Sequence, residues 1–258
     1  MSIATIGDNL IHYEVLGRGE PVVFIHGWLG SWRYWWPSMQ TLSSRHRTFA
    51  FDLWGFGDSS KSNDKYNFTA YVDMLDNFMD KLGIMQPVTL VGHALGAAVA
   101  LRYTHAHPER VKRVAAVALP VQGNNIHERL MNADSSFMVQ RVLGTSYPEL
   151  DLEIKKTDTA ALNGLARELI GYDFTEEISS CPRPLLLVFG EQDAIIRQPS
   201  NDLPDANNQL AYIALESCSH FPMLDQTVKF NRLVVDFIHA DGDLQTIAPK
   251  ELWQRRTR

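Results

Sequence analysis

One pentapeptide constrains this chain more than any other: Gly92-His93-Ala94-Leu95-Gly96, lying between a short apolar run and a helix-forming run. Pro87-Val88-Thr89-Leu90-Val91 reads as a buried strand, and Ala97-Ala98-Val99-Ala100-Leu101 opens a helix. The frame G-x-S-x-G is the nucleophile elbow, which lifts a serine hydroxyl above the edge of a sheet. Here the third position is alanine, so a methyl group stands where an attacking oxygen would be.

The rest of the chain supplies a sheet for that turn. Leu10 to Val15 alternates like a half-exposed strand and ends at Gly17-Arg18-Gly19. Val22 to Ile25 and Thr48 to Phe51 are short apolar runs, as expected of strands covered on both faces. Further strands are expected at Val114 to Leu119, Leu185 to Phe189 and Gln209 to Leu215. Helical spacing recurs at Trp32 to Leu42, Tyr71 to Leu82 and Gln226 to Ile238. Strands alternating with helices imply a parallel sheet with right-handed crossovers. From Pro120 to about Ser180 the rhythm breaks: Ile126 to Leu143 and Thr159 to Ile170 look helical and no strand intervenes. The expected organisation is one α/β core from residues 1–119 and 181–258, with 120–180 inserted as a small helical cap.

Composition excludes several classes. A formal charge of −6 argues against nucleic acid, and the one basic cluster, Arg255-Arg256-Thr257-Arg258, is expected to be a solvated tail. The first residues show no basic segment followed by an apolar run, and nothing approaches the roughly 18 apolar residues of a membrane helix. Two cysteines, Cys181 and Cys218, make no disulfide framework. A cytoplasmic setting is therefore expected, with no membrane contact. His105 and His107 are two apart on a helix and cannot face one ligand. Gly55-Phe56-Gly57 lacks the further glycine and the strand-to-helix setting of a dinucleotide site. No metal and no cofactor are expected, and oligomeric state is open.

A nucleophile on such a turn is followed along the chain by an acid and then a histidine. Leu185 to Phe189 ends in Gly190-Glu191-Gln192-Asp193, which makes Asp193 the acid and Glu191 its competitor. Ser217-Cys218-Ser219-His220-Phe221-Pro222 offers His220 as the base. Alone, His220 would read as a buried histidine bonded to backbone; its ordered spacing to Asp193 and the elbow favours the chemical role. Two backbone amides would hold an oxyanion: Leu95, at the start of its helix, and Trp28, in His26-Gly27-Trp28-Leu29-Gly30.

Taken together, these motifs resemble the α/β-hydrolase superfamily, in its branch of small capped esterases, lactonases and carbon–carbon bond hydrolases. The carriers are His26 to Gly30, Asp52-Leu53-Trp54-Gly55-Phe56-Gly57-Asp58-Ser59-Ser60, the elbow, Gly190 to Asp193 and Ser219-His220-Phe221-Pro222. They arrive in family order over about residues 10 to 240. The resemblance implies an eight-stranded, mostly parallel sheet flanked by helices, and a small-molecule ester, lactone or vinylogous ketone as substrate. It implies a mainly structural role for Asp52 and its glycine-rich turn. The chain departs from the family at Ala94, and at Ser219, where relatives usually have glycine.

Three explanations of Ala94 compete: a serine replaced so that ligand is held unreacted, a natural non-catalytic binding protein, or a lost aspartate of the epoxide hydrolase and dehalogenase type. The elbow residue is strained, and a descendant free of catalysis would relieve that strain with glycine. Against aspartate, no proline follows His26-Gly27 closely and no tryptophan follows Ala94, although Tyr147 and Tyr172 are available to polarise an epoxide. The first explanation is preferred. Substrate walls are expected from His26, Gly27, His93 and Phe221, and from Phe137 and Met138 in the apolar cap. Trp32, Trp35 and Trp36 share one helical face and are expected mainly in the core, whereas Trp28 is placed to meet ligand.

Overall fold

The computed structural model describes residues 2–28, 30–128, 147–199, 209–240, 244 and 247–249. Eight strands form one sheet: β1 (Ser2–Ile6), β2 (Asn9–Leu16), β3 (Glu20–Ile25), β4 (His46–Phe51), β5 (Val88–His93), β6 (Val111–Val117), β7 (Leu185–Gly190) and β8 (Leu210–Leu215). Their order is β1-β2-β4-β3-β5-β6-β7-β8. The β1–β2 and β2–β4 pairs are antiparallel and every other pair is parallel. The parallel strands are apolar because helices cover both their faces, and β5 is buried along its whole length.

The helices that fix the site are α1 (Trp36–Leu42), α2 (Phe68–Lys81) and α3 (Leu95–Ala106). A single 3-10 turn, Trp32–Trp35, precedes α1, so the expected helix from Trp32 starts tighter than an α-helix. Ser31 caps that turn through Arg33 N–H at 3.2 Å. Trp32 and Trp35 are buried and Trp36 is partly exposed. The strand β1 lies where no strand was expected; it folds back on β2 through Gly7-Asp8, with Gly7 at φ +56°. Only Ala4 of β1 is buried, so its apolar signal is weak.

Between β6 and β7 run α4 (Pro148–Ile154), α5 (Thr159–Leu169) and α6 (Thr175–Ser179). The expected helix Ile126 to Leu143 falls mostly outside the described residues, as do Phe137 and Met138. The two ends of this insertion pair with each other: Gly123 N–H donates to Tyr172 O and Phe174 N–H to Val121 O, both at 2.8 Å. The chain ends its described core with α7 (Pro222–Asp225) and α8 (Thr227–Ile238).

Two polar arrays pin these parts together. Asp52, fully buried after β4, accepts from Trp32 N–H at 2.8 Å and Asp58 N–H at 2.9 Å, and faces His12 Nδ1 at 3.2 Å. His12, Asp52 and Asp58 bring oxygen and nitrogen atoms within 4.8 Å of one another, but these bonds already occupy them and Arg33 and Lys156 neutralise Asp58. The second array joins α4 to the core. Glu153, buried, accepts from Arg33 at 2.9 Å and Lys156 at 3.0 Å.

Candidate active site

The turn between β5 and α3 holds Ala94 at φ 49°, ψ −111°, a conformation that costs an L-residue of order 1–3 kcal/mol. Surroundings hold it there. Ala94 N–H donates to Val117 O at 2.8 Å, and its carbonyl accepts from Ala97 and Ala98 at the head of α3. Its glycine neighbours allow close approach: a methyl on Gly96 would meet Ile25 O at 2.3 Å. A methyl on Gly27 would sit 3.0 Å from Ala94 Cβ and from His93 Nδ1, so the loop after β3 is packed directly against the turn. Leu95 is the first residue of α3, where the backbone N–H has no partner within the helix. Trp28, next to Gly27, is buried, and its indole N–H has no hydrogen-bond partner among the described residues.

A continuous chain of hydrogen bonds joins this loop, the elbow and the loop after β8. Gly27 N–H donates to Tyr34 Oη at 2.7 Å. Tyr34 Oη lies 3.0 Å from His93 Nδ1, and His93 Nε2 lies 2.8 Å from the carbonyl of His220. A carbonyl only accepts, so Nε2 carries the proton and Nδ1 accepts from the phenol. Burial and then the neighbouring His220 push the His93 pKa well below its ordinary value, and burial pushes that of Tyr34 well up. Both rings are therefore neutral near pH 7.

His220 Nδ1 faces Asp193 Oδ2 at 2.8 Å, both side chains buried. The other Asp193 oxygen accepts from Ile195 and Ile196 N–H at 2.8 and 2.9 Å. A carboxylate accepting at both oxygens leaves Nδ1 as the donor, so in the neutral ring Nε2 holds the lone pair. The two loops are stitched together by Gln192 N–H to Cys218 O at 2.8 Å. Glu191, the competing acid, is exposed. Burial first, then Asp225, pushes the Cys218 thiol up to about 11, so it is not a thiolate at neutral pH.

The structure thus brings Ala94, His93, Gly27, His220 and Asp193 together. His26 departs from the expected substrate wall: its Nδ1 bonds Gly27 O at 2.8 Å and its Nε2 accepts from Leu53 N–H at 2.9 Å. Both nitrogens are spent on the loops after β3 and β4, and burial lowers its pKa. His93 likewise links loops through both nitrogens. Phe221 is buried against the rings of Tyr34, His93 and Tyr147. Tyr147, named above as a group to polarise an epoxide, instead donates its phenol proton to Asp225 and lies 2.8 Å from Ser219 Oγ, and Tyr172 packs on Phe68 and Phe174. Tyr34 was not singled out by sequence; its only signal is a tyrosine on the buried face of the tryptophan-rich turn.

A sheet of this order, turning at an elbow beside a buried acid–histidine pair, defines a class, and the chain belongs to it: the family model for the alpha/beta hydrolase fold matches residues 20–150. Among full-length relatives, 2-hydroxymuconate semialdehyde hydrolase of Pseudomonas sp. (strain CF600) is 27% identical over 262 residues, covering 90% of this chain and 91% of the relative. Of solved structures, a serine-to-alanine mutant of the meta-cleavage product hydrolase CumD from Pseudomonas fluorescens IP01 matches with TM-score 0.79 at 22% identity, over 92% of this chain and 97% of that one. The enol-lactonase of Burkholderia xenovorans LB400 matches with TM-score 0.79 at 19% identity, over 93% and 100%. At these identities the structural likeness shows the fold. Most of the similar proteins are named as hydrolases, with a non-heme chloroperoxidase of Kitasatospora aureofaciens also among them. No helix among the described residues is long and apolar enough to cross a membrane.

Proposed function

We propose that this chain is a serine hydrolase of esters, lactones or related carbon–carbon substrates, disarmed by alanine at position 94. The observation that carries the reading is the His220–Asp193 pair, buried and linked through His93 to a turn that remains strained without its nucleophile. In the serine form the hydroxyl at 94 attacks a carbonyl carbon, and its proton passes to His220 Nε2. Asp193 holds the ring and stabilises the imidazolium. The Trp28 and Leu95 amides take the negative oxygen, and His220 then returns the proton to the leaving group. Residues 120–180 act as the cap that closes over substrate, in a cytoplasmic enzyme.

The deciding experiment is Ala94→Ser beside the chain as it stands, with p-nitrophenyl esters, a lactone, 2-hydroxymuconate semialdehyde and a fluorophosphonate probe. Labelling and turnover only in the serine form are expected, with a gap on the order of 10⁶ in kcat. A folded serine form that neither labels nor turns over sinks the reading in favour of a binding protein. Turnover of an epoxide by Ala94→Asp alone moves it to the aspartate type.

A further inference from the structure

Resting on that reading, we propose that Tyr147, Ser219 and Asp225 form a clamp that positions the base, His220. Asp225 Oδ2 accepts from both the backbone N–H of Ser219, at 2.6 Å, and its hydroxyl, at 2.8 Å. Asp225 Oδ1 accepts from the Tyr147 phenol, and that phenol lies 2.8 Å from Ser219 Oγ. The Ser219 hydroxyl has one proton, which goes either to Asp225 or to the phenol oxygen, while its amide is bonded to Asp225 in both arrangements. Three side chains from separate positions therefore converge on the residue immediately before His220. On the other side, the Tyr147 ring packs edge-on against Phe221, centroids 5.4 Å apart. The base is gripped at both neighbours along the chain.

The grip matters because one bond does not fix a ring. The Asp193 bond sets the position of Nδ1, the rings of His93 and Phe221 flank the imidazole, and His93 holds the His220 carbonyl. The chain on the Ser219 side is the remaining point about which the ring can tilt. Proton transfer needs Nε2 within hydrogen-bond reach of the reacting oxygen, so the backbone from which the ring hangs is the second point that must be held. A glycine at 219 would offer Asp225 only an amide and would give Tyr147 no hydroxyl to meet. Serine converts that loop into a junction that a phenol from the β6–β7 insertion can reach. Tyr147 directly precedes α4, which is fastened to the core by Glu153 on Arg33 and by the following Lys156 on Asp58, so the brace is itself anchored. None of the three clamp residues touches the reacting atoms; they act through His220 as positioning residues.

Two measurements test the clamp. In the chain as it stands, the low-field proton resonance of His220 Nδ1–H, assigned by its loss in His220→Gln, is followed in Tyr147→Phe, Ser219→Gly and Ser219→Thr. It broadens by exchange with water in the first two and stays sharp in the threonine variant, which keeps the hydroxyl. In the Ala94→Ser background, Tyr147→Phe and Ser219→Gly each lower kcat about tenfold, since displacements of about 1 Å cost up to about 10²-fold, with KM unchanged. The double variant loses no more than the larger single loss, because both break one junction. A sharp resonance and unchanged kcat in both single variants, or losses that multiply, overturn the clamp. If Ala94→Ser turns over nothing while the resonance still broadens, the clamp stands and the hydrolase reading falls.

Discussion

Tyr34 shows how a single hydroxyl can serve two loops. It accepts from Gly27 and donates to His93, and no local sequence pattern announces either partner. Replacing it by phenylalanine strands a buried amide and a buried imidazole nitrogen, so Tyr34→Phe should cost about 2 kcal/mol in urea denaturation. The loss of only a few tenths would mean that water replaces the phenol. Gly27→Ala probes the same contact from the other side: its methyl would press on Ala94 Cβ at 3.0 Å. In the Ala94→Ser background that crowding should abolish turnover while the far-ultraviolet circular dichroism is retained. Asp193 and His220 were legible because chain order and strand ends mark them. Asp225 and Tyr147 were not, because their partners lie across a loop or an insertion and obey no spacing.

Among the elements, the parallel strands were readable as uninterrupted apolar runs, and the elbow as glycines between a strand and a helix. The edge strand β1 was missed because it buries only Ala4, leaving no alternation strong enough to see. The attachment of α4 was also invisible, since Arg33 and Glu153 are 120 residues apart and each looks like an ordinary surface charge. Arg33→Ala leaves the buried Glu153 with Lys156 alone. Stability should fall by about 2 kcal/mol, the loss of one charge-assisted hydrogen bond, because Lys156 still compensates the carboxylate. Amide exchange should accelerate in Pro148–Ile154 more than in α3, and uniform acceleration would show that the array holds the whole core instead.

For the molecule as a whole, buried histidines set the response to acid. His26, His46 and His93 all have pKa values lowered chiefly by burial, so the fold holds them neutral. In the unfolded chain each takes a proton as pH falls through about 6.5. The unfolded state then binds more protons than the folded one, and stability declines below that pH and is unaffected by these groups above it. Calorimetry between pH 8 and pH 5 should show a flat Tm that turns downward near pH 6.5, with proton uptake on unfolding. A Tm that rises on acidification would contradict it.

The turn at Ala94 keeps its unusual backbone with no nucleophile to justify it, because packing around Gly27, Gly92 and Gly96 imposes the shape. What the scaffold manufactures is a mount, and the side chain fitted to it is interchangeable. Cysteine there would be a tethering handle for disulfide or haloacetamide reagents, and the attached group would be delivered to the same spot beside His220. A family built on such a mount can change its chemistry, or set it aside, by exchanging one small residue while the surrounding machinery stays folded.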